Sequence, residues 1–239
     1  MTSRSIQRVF ALISVGLLGT VLGCSHSPPM STKQVTFQQA TLGQMPADWS
    51  ATLTGGGGPV LWSVVKDPID VYGRNALAQA STDATSYRFP LCVFNGITAK
   101  DVDASVDFKT VSGQVDQAAG LIVRYQDKDN YYVVRANALE NNVRLYKVVA
   151  GKRIQLAGVD AKVTPGECYV LRLMVQGSHF RVFFMTPTWC YQGSYVTKPL
   201  FEADDATFPG AGRVGLWTKA DSVTYFHALS ISYDDTYGL

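Results

Sequence analysis

The 239-residue chain is short of the residues that most enzymes put to work. Its histidines are His26, His179 and His227, and no two stand at the spacing of zinc ligands, so a transition-metal site is not expected. Glutamate is confined to Glu140, Glu167 and Glu202. Glycoside hydrolysis needs two carboxylates about 5–10 Å apart across a sugar ring, and no run here sets such a pair along one strand, so no catalytic residue is assigned. A Gly-x-Ser-x-Gly nucleophile elbow is missing as well. The glycine run Gly55–Gly58 lacks the Lys-Ser/Thr of a phosphate loop and reads as a turn. Charged residues are 17% of the chain, 21 basic against 19 acidic, with neither a basic stripe nor an acidic tail, which argues against nucleic acid as a partner. Past the first two dozen residues no apolar run is long enough to span a bilayer, and no repeat or long helical periodicity is found.

What is abundant is aromatic residues, 11% of the chain, and glycine, 21 residues, the balance of an all-β sandwich. The stretch Ala119–Arg153 is the most informative. Leu121–Tyr125, Tyr131–Arg135 and Val143–Val149 are rich in β-branched and aromatic residues and are separated by Asp-Lys-Asp-Asn and by a second polar loop, which is turn chemistry. Further strands are expected at 35–37, 50–53, 61–66, 75–80, 87–93, 102–108, 154–158, 169–175, 180–185, 199–202, 213–218 and 223–233. In Asp103–Phe108, Ala104, Val106 and Phe108 alternate with Asp103, Ser105 and Asp107, one face buried and one wet. The same period-two rule sets Arg135 and Asn137 on one side of their strand, and extends that polar side to Arg124 on the strand before.

The N-terminus reads as a targeting segment. Arg4 and Arg8 precede the apolar run Val9–Leu22, which ends at Val21-Leu22-Gly23-Cys24. That ending resembles the lipobox of bacterial lipoproteins. The resemblance implies a signal peptide at 1–23, lipidation of Cys24, and a place in the bacterial cell envelope as a lipid-anchored protein. Ser25 stands where inner-membrane retention would call for Asp, which favours the outer membrane. Residues 24–34 then form a small, polar, proline-containing tether, and 35–239 the folded domain. Beyond Cys24 the cysteines are Cys92, Cys168 and Cys190. If Val175 faces Phe180 across the turn at 176–179, position 168 lies near 187, so Cys168 with Cys190 is the first pairing. Cys92 with Cys190 is the second, and three buried free thiols remain an alternative.

The order of short motifs carries a family resemblance. Pro46-x-x-Trp49, Trp62-Ser63-Val64, Asn75-Ala76-Leu77, Asp127-Lys128-Asp129-Asn130-Tyr131-Tyr132, Leu171-Arg172-Leu173 and Arg213-Val214-Gly215-Leu216-Trp217-Thr218 follow one another as in concanavalin A-like, laminin-G-like jelly rolls. Within these the chain most resembles the bacterial 3-keto-disaccharide hydrolase-type domain. The resemblance implies two stacked antiparallel sheets and a carbohydrate or glycoconjugate as partner. It departs at Cys168, where relatives often carry Trp, and at Thr186–Lys198, a longer and aromatic segment expected to act as a lid or rim.

The candidate ligand-binding set is Arg124, Arg135, Asn137, Gln117, Asp116 and Tyr132. Guanidinium and amide groups give directional hydrogen bonds to sugar hydroxyls, and Tyr132 or Trp217 offers a ring to stack on. The competing reading of the arginines is structural pairing with Asp107, Asp116 or Asp129. No cofactor is expected, although a structural calcium is compatible with the fold class. The favoured function is sugar binding without hydrolysis. Its alternatives are a glycoside or 3-keto-glycoside hydrolase and a structural or protein-interaction lipoprotein.

Overall fold

The computed structural model describes Met1 and residues 30–70, 72–185 and 197–234. Cys24, Cys190 and nearly all of the Thr186–Lys198 segment fall outside these residues. The described chain forms fifteen strands, in order β1 (Met30–Thr36), β2 (Trp49–Gly55), β3 (Trp62–Lys66), β4 (Asn75–Gln79), β5 (Arg88–Ala99), β6 (Val102–Ser112), β7 (Ala118–Asp127), β8 (Asn130–Asn137), β9 (Asn142–Val149), β10 (Lys152–Asp160), β11 (Cys168–Gln176), β12 (His179–Met185), β13 (Phe201–Asp204), β14 (Gly212–Trp217) and β15 (Val223–Asp234). Each expected strand has its counterpart, but β1 begins at Met30, so residues 30–34, expected in the tether, are instead a strand paired with β15. Two antiparallel sheets stack. One runs β13-β12-β11-β6-β15-β4-β3, with β1 added against β15; the other runs β10-β9-β8-β7-β14-β5-β2.

Local chemistry sets the hairpins. Val149 and Lys152 are joined by Ala150 and Gly151 at φ 47° and 76°, the paired positive φ of a mirror-image turn. The β7–β8 turn is held by Asp127, whose Oδ1 accepts from the Asp129 N–H at 2.7 Å and from Asn130 Nδ2 at 2.9 Å. Across β11 and β12, Val175 does face Phe180.

Alternation divides the hydrophobic residues into two clusters on the two faces of the seven-stranded sheet. Between the sheets lie Phe37, Trp49, Phe94, Phe108, Tyr132, Val134, Tyr169, Phe180 and Phe226, with many aliphatic neighbours. On the outer face the next residues along the same strands form a second cluster: Phe89, Leu91, Ile122, Tyr131, Val133, Tyr146, Val148 and Trp217. Strand β8 is consequently buried along both faces. A strand covered on both sides gains apolar burial twice over, at roughly 25 cal/mol per Å².

One break in alternation decides where Arg124 points. The β7 register slips between Val123 and Asp127, Arg124 takes φ 48°, and β14 slips opposite it between Arg213 and Gly215. A bulge of this kind reverses which face later side chains occupy. Gly212 permits it, because a Cβ there would stand 2.5 Å from the Arg124 carbonyl carbon.

Candidate functional site

The outer face of the seven-stranded sheet holds most of the polar residues singled out by sequence. Asn137 ends β8 and is fully buried. Its Nδ2 donates to Asp116 Oδ1 at 2.7 Å, and its Oδ1 accepts from the Leu139 and Glu140 N–H groups at 2.9 and 3.0 Å. Asn137 thus shapes the loop that presents Glu140. Two residues earlier, Arg135 donates to Glu140 Oε2 at 2.7 Å, to the Tyr146 hydroxyl at 3.2 Å and to Asn142 Oδ1. Asp116 also accepts from Lys219 Nζ, and burial pushes its carboxyl above the ordinary carboxylate range despite that cation. The same segment is fixed from below by Asp221. Burial would raise the Asp221 carboxyl, but the N–H groups of Gln114, Val115 and Asp116 all donate to it and hold it low.

Arg153, to which the sequence gives no role, lies on the edge strand β10 and reaches over this face. Its guanidinium lies 4.4 Å from the Tyr146 ring centre, 4.9 Å from Phe89 and 5.7 Å from Trp217. Phe89 and Trp217 stack at 5.3 Å, and Tyr87 meets Phe89 edge-on at 4.8 Å. Room for the indole comes from Gly120, where a Cβ would approach Trp217 to 3.0 Å. The Arg135 guanidinium lies 5.7 Å from the same Tyr146 ring. Two guanidinium nitrogens here, Arg135 Nε and one terminal nitrogen of Arg153, are buried without a hydrogen-bond partner among the described residues, as is the Trp217 indole nitrogen. A buried donor left unpaired costs about 1–3 kcal/mol, so this face carries bonding capacity that no described residue uses. The only alerting signal in the sequence was Gly151-Lys152-Arg153 after a turn, which says nothing about rings on distant strands.

Two sequence candidates do not belong to this face. Arg124, expected beside Arg135, is turned inward by the bulge and is 1% exposed. It donates to the carbonyls of Lys100 at 2.9 Å, Phe208 at 3.0 Å and Gly177 at 2.5 Å, pairs with Asp101 at 3.2 Å, and packs over Phe180. Tyr132, expected as a stacking ring, lies between the sheets against Phe180 and Phe208. Its hydroxyl donates to Asp205 at 2.6 Å. Both are corrected to structural roles. Gln117 is buried and its Oε1 lacks a partner. Cys168 is disulfide-bonded and Cys92 is a buried free thiol, so the disulfide partner of Cys168 lies outside the described residues.

A second charged cluster, unforeseen from sequence, lies on the eight-stranded sheet against the loop that follows β3. Asp67 accepts from Lys109 Nζ at 2.5 Å and from His227 Nε2 at 2.9 Å, with all three side chains nearly or fully buried. Asp70 is ion-paired to Arg74 at 2.7 Å, and Arg74 reaches Asp107 at 3.3 Å. Atoms of Asp67, Asp70 and His227 come within 4.8 Å of one another, close enough to share a metal ion. Lys109 and Arg74 already neutralise the two carboxylates, however, so the cation's place is filled from within the chain. Burial pushes Asp107 up to about 6 although Arg74 pulls it down. Its folded value exceeds the unfolded value of about 3.9, so its contribution is fully present below about pH 4 and is lost as pH rises through 6. Urea denaturation of the wild type between pH 4 and pH 7 is expected to show a loss, at most about 3 kcal/mol, that Asp107→Asn does not share. Equal pH dependence in the two proteins contradicts this.

On the outer face of the same sheet a depression of about 480 Å³ is lined by Asp103, Ser105, Arg172, Phe183, Ser230 and Ser232. Arg172 pairs with Asp103 through two hydrogen bonds. Arg181, which also lines the depression, donates to the neutral Gln176 Oε1 at 2.7 Å.

Residues 75–227 match the family of the beta-xylosidase C-terminal concanavalin A-like domain. The span contains every residue of the Arg153 face. No curated protein matches the chain. Among solved structures, the carbohydrate-binding module CBM66 from Bacillus subtilis superposes with a TM-score of 0.56 at 18% identity, covering 75% of this chain and 92% of that one. The GH43 protein BlXynB from Bacillus licheniformis gives 0.52 at 14% identity, with 84% of this chain and 39% of that one covered. The VIP36 exoplasmic/lumenal domain, in a Ca2+/Man3GlcNAc-bound form, gives 0.52 at 11%, covering 80% and 85%. At such identities the likeness shows the fold, a two-sheet concanavalin A-like sandwich, as the motif order implies.

Proposed function

The chain belongs to the beta-xylosidase C-terminal concanavalin A-like family, and we propose that it is a carbohydrate-binding module that holds sugar without cleaving it. The observation that carries this is the pair of buried, unpartnered guanidinium nitrogens of Arg135 and Arg153 beside the Tyr146, Phe89 and Trp217 rings. Sugars present hydroxyl acceptors on their edges and apolar C–H faces, and a site for them joins fixed donors to aromatic surface. Exposed Tyr87 and Glu140 border the same region and supply further polar contacts. The solved relatives named as a carbohydrate-binding module and as a glycan-bound lumenal domain support the reading. A glycan array probed with the purified protein tests it. Binding is expected, and Arg135→Ala and Tyr146→Ala are each expected to weaken it about tenfold or more, from loss of roughly 1.5–3 kcal/mol of charge-assisted hydrogen bonding or ring contact. Binding unaffected by both variants would place the sugar elsewhere.

Hydrolysis of glycosides or keto-glycosides is the second reading. It would fall on Asp116, whose carboxyl is raised, and Glu140, which Arg135 holds low against partial burial. The engagement of Asp116 by Lys219 and Asn137 argues for a structural carboxylate instead.

The lipobox-like Val21–Cys24 and the polar sequence between it and β1 support a bacterial envelope location, with the domain held to the membrane, the outer membrane favoured, by lipid on Cys24. Metabolic labelling with tritiated palmitate is expected to mark the wild type and not Cys24→Ala; label in both refutes the anchor. The disulfide on Cys168 fits an oxidising compartment, with Cys190 as the proposed partner.

A further inference from the structure

We infer that the sugar taken at this face is an acidic one, whose carboxylate completes the ion pair that Arg153 lacks. The inference rests on the carbohydrate reading and narrows its ligand class. The charges of the face can be matched one by one. Arg135 is balanced by Glu140 at 2.7 Å, and Lys219 by Asp116. Arg153 makes no ion pair and no side-chain hydrogen bond with any described residue, though one of its terminal nitrogens is fully buried. Only its backbone is tied to a neighbouring side chain, the Arg153 N–H donating to the Tyr87 hydroxyl at 3.1 Å.

A guanidinium drawn out of water costs free energy unless an anion or aromatic surface compensates it. Ring contacts to Phe89, Tyr146 and Trp217 supply part of that compensation. They hold the group in place but leave its charge unneutralised and its N–H unbonded. The second open donor, Arg135 Nε, belongs to a side chain 3% exposed and lies against the same Tyr146 ring. The face therefore offers two fixed guanidinium N–H donors and one unmatched positive charge, beside the Trp217 indole N–H. A planar monoanion that accepts two hydrogen bonds fits that inventory, and a sugar carboxylate is such a group. A doubly charged phosphate would overshoot it. A neutral sugar would satisfy the donors and leave the charge as it is. The apolar face of the same sugar ring is left to Tyr146.

The test compares acid and ester forms of the same sugar. Purified protein is titrated calorimetrically with trisaccharides of galacturonic, glucuronic and mannuronic acid, each beside its methyl ester, which keeps the shape and removes the charge. At least one acid is expected to bind about tenfold or more tightly than its own ester, the size of one charge-assisted pair. In Arg153→Gln, which keeps length and polarity, the preference is expected to collapse to near unity while the thermal midpoint stays close to wild type. The preference should also shrink as salt rises. The inference is overturned if no acid outbinds its ester, or if Arg153→Gln retains the preference. Acid and ester binding alike leaves the carbohydrate reading standing and removes the acidic one. Failure of these sugars together with every neutral glycan on the array removes both.

Discussion

Lys109→Ala is expected to destabilise the fold by about 3–5 kcal/mol, far more than its single ion pair would be worth at the surface. The lysine is 3% exposed and its partner Asp67 is fully buried, so truncation strands a carboxylate away from water. In the intact protein burial would raise Asp67, but Lys109, the Ile69 N–H and His227 together hold it low. His227 is pulled the other way, its basicity lowered first by burial and then by the nearby Arg74. That lowering favours the neutral imidazole, with Nε2–H facing the Asp67 carboxylate and Nδ1 buried without a partner among the described residues. Once Lys109 is gone, Asp67 has one other group able to become a cation beside it, and that is His227. Its folded proton affinity then rises above the intact protein's, so the variant takes up a proton more readily than the wild type as pH falls, and the stability difference between the two narrows toward acid. The defect of Lys109→Ala should thus be smaller at pH 5 than at pH 8. The pair replacement Asp67→Asn with Lys109→Met removes both charges and is expected to recover most of the loss. Urea denaturation of the wild type, the single variant and the paired variant at the two pH values decides. A cost below about 1 kcal/mol at pH 8, or a larger defect at pH 5, would refute this account of the cluster.

None of that cluster could be read from the chain, and the reason is physical. Asp67, Lys109 and His227 are far apart in sequence and meet only because β3–β4, β6 and β15 are neighbours in one sheet. Periodicity reports what a side chain does relative to its own strand. It assigned Ala104, Val106 and Phe108 to one face and Asp103, Ser105 and Asp107 to the other correctly, because burial against a facing sheet is a local property of alternation. Hairpin register was legible for the same reason, as Val175 opposite Phe180 shows. Which charges meet across strands depends on sheet order. The Arg153 face escaped for a related reason. A guanidinium over three rings brings together β5, β9, β10 and β14, and no spacing in the sequence encodes that meeting. Arg135, Asn137 and Asp116 were found because they lie on or beside neighbouring strands of one meander, where alternation carries over from strand to strand.

Arg124 is the case where alternation misled, and it yields the second large effect. Period two sets Arg124 on the Arg135 side; the residue's φ of 48° and the slip in β7 turn it through to the other. There it ties three separate segments, donating to the carbonyls of Lys100, Phe208 and Gly177 and pairing with Asp101. Arg124→Ala leaves these acceptors without their donor in a site the side chain had filled. With an unpaired buried group worth about 1–3 kcal/mol, the expected loss is on the order of 4 kcal/mol. Arg124→Lys should recover little of it, because one ammonium cannot reach three carbonyls in the directions a guanidinium fork spans. The backbone argument points the same way, since alanine inherits the left-handed conformation without the hydrogen bonds that offset its strain. Binding should respond in the opposite sense. Arg124 is separated from the Arg153 face by the sheet itself, so the folded fraction of Arg124→Ala is expected to bind glycan with wild-type affinity, while Arg153→Gln keeps its stability and loses affinity. Chemical denaturation and calorimetry on the two variants separate the roles. Arg124→Ala with full stability and weakened binding would restore that residue to the ligand site and undo the assignment of faces on which the carbohydrate reading depends.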